Sequence, residues 1–151
     1  MASDPSIRQA LPADSHPDRF TVRQGAKALV RTDDSVLLVR ERHSDGTPFW
    51  TLPGGGVEPE ERPETGLRRE LREELNCRAH VGEPSAWFPY RHEGESDVVS
   101  VYTVFDCLLA SRTSPNPEEG VLACRWIDPE SVPPSTLPQV RQLCRSVVDG
   151  E

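Results

Sequence analysis

The sequence predicts an α+β fold in which a β-sheet lies between helical layers. Apolar and β-branched runs bounded by turn residues, which are typical of strands, occur both before and after the middle of the chain. A charged helical segment at residues 63–75 separates the two groups of strands, and a second helical segment ends the chain. The order strands, helix, strands, helix is the one expected when helices cover a sheet.

Length and charge limit the function. A chain of 151 residues has the size of one domain, and its formal net charge of −8 disfavours a nucleic-acid polymer as partner. No stretch approaches the ~20 apolar residues of a membrane-spanning helix, and no apolar signal segment opens the chain. The four cysteines are scattered without a CxxC pair. We therefore expect a cytoplasmic protein with reduced thiols and no membrane partner.

The first strands follow a polar segment. Residues 1–19 are rich in Pro, Asp, Ser and Ala and lack periodicity, which predicts a flexible N-terminal arm before a single domain over residues 20–151. Residues 20–30 are predicted to form a strand. Residues 36–40 are predicted to pair with it as a hairpin, because a short polar turn joins the two.

The second strand ends in two arginines. The continuous apolar run at residues 36–39 predicts a strand covered on both faces. Arg40 and Arg42 then emerge on the same side, where they either contact a substrate phosphate or are ordinary surface arginines. Residues 49–52 form a short predicted strand that leads into the glycines at residues 54–56.

The helix predicted at residues 63–75 has recognisable ends. Pro63 suits the first helical position because it has no N–H to leave unpaired, and Asn76 suits a left-handed stop. At about 100° per residue, three leucines form a narrow apolar stripe that faces a core. These leucines are Leu67, Leu71 and Leu75.

Three glutamates lie beside that stripe. Glu70, Glu73 and Glu74 share one flank of the helix, and the like charges at i and i+4 destabilise it by roughly 0.2–0.5 kcal/mol. Clustered carboxylates without Cys or His suit Mg²⁺, or Mn²⁺ in its place. The alternative is a solvated acidic face neutralised by Arg69 and Arg72. The preceding glycines favour the metal, because they allow the backbone to approach a ligand closely.

The sheet continues after this helix. Residues 78–81 are strand-like, and a segment interrupted by prolines follows them with Trp87, Phe88 and Tyr90. These aromatic side chains either stack on a base or ribose or close the hydrophobic core. Residues 92–97 then form an acidic loop that includes Glu93 and Glu95.

The last third of the chain completes the fold. Residues 98–109 are apolar on both faces, which predicts a central strand. A loop over residues 111–120 carries Glu119, and residues 123–127 form a further strand. Apolar residues recur every three or four positions at residues 137–148, which predicts an amphipathic helix packed on the sheet.

From Gly54 to Cys77 the glycines and charged residues follow a fixed pattern. A glycine is followed after five residues by a glutamate, and after seven more by Arg-Glu, an aliphatic residue, any residue and Glu-Glu. The residues at these positions are Gly55, Glu61, Arg69, Glu70, Leu71, Glu73 and Glu74. The stretch resembles the signature box of the Nudix hydrolase family. The chain is similar to small stand-alone members of the MutT and ADP-ribose pyrophosphatase types.

This box departs from the family pattern at three positions. Asn76 stands where the pattern has a glycine, Gly66 where alanine is usual, and Arg62 where Ser or Thr often caps the helix. Gly66 costs about 1 kcal/mol of helix propensity, and Arg62 weakens the helix start. We expect these departures to affect the stability of the helix rather than metal binding.

The resemblance implies a fold and a set of roles. The fold is the Nudix α/β/α sandwich, with a mixed sheet between the helices. By resemblance, the three helix glutamates bind Mg²⁺, or Mn²⁺ as a substitute, with help from backbone oxygen near Gly55. Glu61 would orient the loop and Arg69 would hold a box glutamate at its angle. The general base would be Glu70 or Glu119.

The resemblance also implies a reaction. We expect metal-dependent hydrolysis of a diphosphate linkage in a nucleoside diphosphate linked to another moiety, with ADP-ribose favoured. Cleavage of nucleoside triphosphates is the first alternative, and a nucleotide-sensing module without turnover is the second. A small nucleotide is therefore the expected partner, with Arg40, Arg42 and Tyr90 as its candidate binding residues. Enzymes of this family are often dimers, which makes a homodimer a further expectation.

Overall fold

The structure is a computed structural model that describes residues 21–92 and 97–150. The arm predicted for residues 1–19 lies outside the described residues, and so do Glu93 and Glu95 of the acidic loop. The division into an arm and a single domain therefore stays a prediction.

The described chain alternates strands and helices in the predicted order. Its strands are β1 (Thr21–Leu29), β2 (Val36–Arg42), β3 (Pro48–Thr51), β4 (Gly54–Gly56), β5 (Ala79–Arg91), β6 (Val98–Leu109) and β7 (Ala123–Ile127). The α-helices are α1 (Pro63–Leu75), between β4 and β5, and α2 (Pro138–Asp149), after β7. A short 3-10 helix, Pro117–Glu119, precedes β7. Within the described residues, no helix is long and apolar enough to cross a membrane.

The strands form two sheets. One has the order β4-β1-β6-β5, in which β1 and β6 are parallel and the other pairs are antiparallel. The other has the order β3-β2-β7 and is antiparallel throughout. The predicted α+β class with a mixed sheet is confirmed, and β6 lies in the interior of its sheet as expected.

Two apolar clusters lie on opposite sides of the strands. The first contains the leucine stripe of α1 together with side chains of β1 and β6. The second contains Val140 and Cys144 of α2. Strand β2 contributes Leu37 and Val39 to the first cluster and alternate residues to the second. The strand is covered on both faces, as its continuous apolar run predicts, and the two helices enclose the sheets as a sandwich.

The predicted hairpin between β1 and β2 is wrong. The two strands belong to different sheets, and the chain turns between them through a single bridge from Arg31 to Val36. A polar turn between two apolar runs is expected both for strands that pair with each other and for strands that belong to different sheets. The local sequence therefore does not distinguish the two arrangements. Here β1 pairs in parallel with the distant β6 instead.

Strand β5 runs through the segment that its prolines were expected to interrupt. Among the described strands it pairs only with β6, at the edge of the sheet, and the register shifts on both sides of Pro84. An edge strand tolerates proline, because the missing N–H need not have a partner there. The aromatic residues of this segment differ in their burial. Phe88 is buried in the core, whereas Trp87 is 67% exposed.

Two of the departures from the family pattern lie at the ends of α1. Arg62 precedes the helix without a side-chain cap, as expected. Asn76 ends it in the left-handed conformation, with φ 52°. The Asn76 side-chain amide also donates to the carbonyl oxygen of Ser114 at 2.8 Å. Asparagine therefore offsets part of its backbone strain with a contact that glycine lacks.

Substitution of Asn76 separates these two contributions. Asn76→Ala loses the hydrogen bond and keeps an unfavourable left-handed backbone, so we expect the free energy of unfolding to fall by about 1–2 kcal/mol. Asn76→Gly loses the bond but relieves the strain, so it should stay within about 1 kcal/mol of the parent. Chemical denaturation of the parent protein and of the two variants measures these changes in the free energy of unfolding. Equal losses in the two variants would contradict the strain argument.

Candidate active site

The glycine strand β4 lies between β1 and helix α1 and forms the centre of the site. Gly54 has φ 132°, and a Cβ there would collide with the carbonyl oxygen of Ala26 on β1. Gly55 pairs with Ala26 across the same antiparallel ladder. Glycine is thus required for β4 to approach β1, and the close approach brings backbone groups toward the glutamates of α1.

Arg69 connects the loop before α1 to the helix glutamates. Its Nε and Nη2 donate to the two Glu61 carboxylate oxygens at 2.8 and 2.9 Å. Its Nη1 donates to Glu70 at 3.1 Å and to Glu73 at 3.3 Å. Its Nη2 also reaches the carbonyl oxygen of Gly56 at 3.1 Å. One guanidinium therefore holds three carboxylates and β4 together.

Glu61 is held in its ionised form. The hydrogen bonds from Arg69, followed by the backbone N–H of Glu58, lower the pKa of Glu61 to about 2. The space for this carboxylate comes from Gly66, where an added Cβ would lie 2.9 Å from Glu61 Oε1. Glycine has a low helix propensity, but at this position it also admits the carboxylate that Arg69 binds.

Glu74 is a buried carboxylate, with 6% of its surface exposed. Its Oε1 accepts a hydrogen bond from the Gly54 N–H at 3.1 Å. Burial raises the pKa of Glu74 to about 9, although Lys27 opposes the shift. Burial thus favours the protonated carboxyl group, and a cation beside it would favour the ionised form.

Lys27 and Glu41 belong to the site, and the sequence analysis did not find them. Lys27 is 4% exposed, donates to the carbonyl oxygen of Gly54 at 3.0 Å and lies 4.7 Å from the Tyr102 ring centroid. Burial lowers the pKa of Lys27, but nearby acidic groups, first among them Glu41, raise it above its ordinary value. The only available signal was a lysine in the apolar part of a predicted strand.

The oxygen groups around β4 are suited to a hard divalent cation. The carboxylates of Glu70, Glu73 and Glu74 and the backbone of Gly55 supply oxygen only, which Mg²⁺ and Mn²⁺ prefer. Glu70 Oε1 lies 2.6 Å from the position of a Cβ on Gly55, so this carboxylate fills the space that glycine leaves. In the described chain no three acidic, His or Cys side chains form a preassembled metal site. Glu70 and Glu73 contact Arg69 instead.

A cavity of about 240 Å³ adjoins Lys27 and Glu41. Of the predicted substrate residues, Arg42 and Tyr90 line it. A wider opening of about 620 Å³ is lined by Gly25, Glu61 and Glu70 among other residues. The residues that line the smaller cavity include Lys27, Glu41, Arg42, His43, Phe49, Thr51, Tyr90 and Tyr102.

Two predicted residues lie apart from this arrangement. Arg40 pairs through its backbone with Trp50 and Ala123, and it is not among the described residues that line the cavity. Glu119 is exposed on the 3-10 helix, which follows a loop bonded to the C-terminal end of α1 through Asn116 and Glu73. The proposed roles of both residues stay predictions.

Comparison with known proteins identifies the family. The family model for the NUDIX domain matches residues 21–145. The chain belongs to the Nudix family. It is a Nudix pyrophosphohydrolase, because the matched region contains the whole box and the acidic and glycine residues described above.

The relatives of this Nudix chain differ in their named activities. Nucleoside triphosphatase NudI of Escherichia coli O1:K1 is 33% identical over 114 residues, which cover 69% of this chain and 80% of NudI. The MutT NUDIX hydrolase of Burkholderia pseudomallei has a TM-score of 0.73 at 22% identity, covering 84% of this chain and 98% of its own. An ADP-ribose pyrophosphatase of Streptococcus suis has a TM-score of 0.60 at 22% identity, covering 85% and 92%.

The two neighbouring glycines of β4 provide a matched test of the site. Gly55→Ala places a methyl group against the Glu70 carboxylate and should lower nucleotide hydrolysis about 100-fold by displacing that group. Gly56→Ala places its methyl group in open space and should retain most of the activity. Thermal melts should show both variants folded. Equal activity in the two variants would exclude a role for the contact between Gly55 and Glu70.

Proposed function

We propose that this pyrophosphohydrolase uses Mg²⁺ or Mn²⁺ to cleave a diphosphate linkage in a nucleoside triphosphate or in a nucleoside diphosphate derivative. The proposal rests on one observation, which is that glutamates of α1 lie against the glycine strand β4. Glu74 accepts from Gly54, and Glu70 fills the space beside Gly55. An anionic phosphate at this strand would meet carboxylates, so a cation is needed to bring the two together.

The cation would be held by Glu70, Glu73 and Glu74 with the backbone oxygen of Gly55. When bound, it would neutralise phosphate charge and lower the pKa of an attacking water. Arg69 is suited to orient these carboxylates, because its bonds to Glu61 and to the β4 backbone fix the guanidinium. Glu70 and Glu73 would exchange their contacts with Arg69 for the cation.

Glu70 is the better-supported general base of the two candidates. It lies at the glycine strand and lines the wider opening, where water and a phosphate group have access. Glu119 is exposed, and within the described residues no hydrogen bond or ion pair joins its side chain to a box carboxylate. Glu119 would have to move toward the box to take a proton from the attacking water.

Nucleoside triphosphates are the first substrate class to test. The relative named as a nucleoside triphosphatase is 33% identical, whereas the likeness to an ADP-ribose pyrophosphatase, at 22% identity, concerns the fold. ADP-ribose, which the sequence favoured, is the second candidate. Arg42 and Tyr90 line the smaller cavity and are suited to contact the nucleoside. Cytoplasmic location and a homodimer stay predictions.

A substrate panel with and without added metal tests the proposal. We expect Mg²⁺ or Mn²⁺ to support hydrolysis of at least one compound among nucleoside triphosphates, ADP-ribose and dinucleoside polyphosphates, and chelation to abolish it. Glu74→Gln should reduce turnover more than about 100-fold while keeping the fold, because glutamine still accepts from Gly54 but carries no charge. The exposed Glu130→Gln is the matched control and should be fully active.

Two results would count against this function. Turnover unchanged in Glu74→Gln would remove the metal role of that residue. Tight nucleotide binding with no product in any metal would instead support the sensing module, which binds nucleotides without hydrolysing them.

A further inference from the structure

Three polar side chains in the wall of the smaller cavity have incomplete hydrogen bonding. Lys27 is 4% exposed and donates one of its three N–H groups to Gly54. The Thr51 hydroxyl is buried and has no partner among the described residues. The half-buried Glu41 side chain makes no hydrogen bond within the described chain. Buried polar groups are normally paired, so these three side chains indicate that the cavity takes a polar ligand.

These polar groups lie close to the glycine strand. Lys27 pairs with Gly54 in the ladder between β1 and β4, and Thr51 ends β3 three residues before Gly54. Lys27 also interacts electrostatically with Glu41. In the proposed function, the substrate phosphates lie at the glycine strand. The sugar of a nucleotide is bonded directly to its phosphate, so the sugar is the part that would lie beside these polar groups.

Aromatic rings line the same cavity farther from the glycine strand. Phe49 precedes Thr51 by two residues on the same face of β3, and His43 follows Glu41 by two residues. The His43 and Phe49 rings stack with centroids 4.0 Å apart at 15°. Aromatic side chains stack on every nucleobase, because every base has a flat face. The cavity of about 240 Å³ therefore has a polar part suited to the sugar and an aromatic part suited to the base.

Sugar hydroxyls match these polar groups in either protonation state of Glu41. Burial raises the pKa of Glu41, and the neighbouring Lys27 opposes that rise. A hydroxyl donates to an ionised carboxylate and accepts from a protonated carboxyl group, so it pairs with both forms. The same hydroxyl accepts from Lys27 and pairs with Thr51. A 2′-deoxyribose has one hydroxyl fewer than a ribose and would leave one of these groups without a partner.

Resting on the proposed function, we propose that Glu41 and Thr51 bind the ribose hydroxyls of the substrate and make this enzyme select ribonucleotides over 2′-deoxyribonucleotides. The two side chains are specificity-determining residues in this assignment. A site built to bond a hydroxyl rejects the analogue that lacks it, because the polar groups of the site are then left unpaired. Contact with a base edge is the competing explanation, and it predicts a preference that follows the base and is equal for both sugars.

Calorimetric binding of paired monophosphates in the presence of Mg²⁺ tests the selection without requiring turnover. A monophosphate contains no diphosphate linkage to cleave. We expect AMP, GMP, CMP and UMP to bind at least about 10-fold more tightly than their 2′-deoxy forms, the range of one hydrogen bond to a charged or buried group. The ratio of kcat/KM between ribonucleoside and deoxyribonucleoside triphosphates should favour the ribose in the same way.

Two pairs of variants separate the polar contacts from the shape of the cavity. Glu41→Ala should bring the ratio of ribose to deoxyribose affinity close to one, whereas Glu41→Gln both donates and accepts and should keep most of the ratio. Thr51→Val removes the hydroxyl and should lower the ratio, whereas Thr51→Ser should keep it. The exposed Glu83→Ala is the matched control and should leave the ratio unchanged. Thermal melts establish that all variants are folded.

Three outcomes distinguish this inference from the proposed function. A parent protein that separates the two sugars neither in binding nor in kcat/KM would overturn the inference, even if it hydrolyses triphosphates. A ribose preference that stays unchanged in both Glu41→Ala and Thr51→Val would also overturn it. Selective binding of ribose monophosphates without hydrolysis of any compound in the substrate panel would instead refute the proposed function and leave this inference standing.

Discussion

Two hydrogen bonds to the backbone of Gly54 are the interactions on which the site depends. Its N–H donates to the buried Glu74 of α1, and its carbonyl oxygen accepts from the buried Lys27 of β1. A buried carboxyl group and a buried ammonium are each costly without partners, and the Gly54 backbone satisfies one bond of each. Helix, glycine strand and sheet are thereby joined through one residue whose backbone conformation requires glycine.

A second connection holds the other end of the same strand. Arg69 donates to the carbonyl oxygen of Gly56 while it binds Glu61 in a bidentate pair. Gly55 therefore lies between two fixed peptides, with the Glu70 carboxylate against it. The site combines rigid backbone with carboxylates that can change partner, because Glu70 and Glu73 share one nitrogen of Arg69. Arg69 is thus positioned as a counter-ion to Glu70 and Glu73 that a metal ion at these carboxylates would displace.

Local signals predicted the parts of this site that lie in one stretch of chain. The ends of α1, its leucine stripe and the spacing of its glutamates all follow from helical periodicity and from residues such as Pro63 and Asn76. The partners on other strands were not predictable in the same way. Lys27 reaches Gly54 across 27 positions, and its place depends on a parallel pairing of β1 with β6 that no turn specifies. The same missing information made the hairpin prediction wrong.

The two charged residues of the smaller cavity differ in what they support. Lys27 bonds to the glycine strand and is almost fully buried, so its removal would disturb the carboxylates beside that strand. Glu41 extends from the end of β2 and has no bond to the box in the described chain. Burial raises the pKa of the Glu41 carboxyl group, and the neighbouring Lys27 opposes that rise. A substitution at Glu41 therefore leaves the hydrogen bonds of the glycine strand in place, whereas a substitution at Lys27 removes one of them.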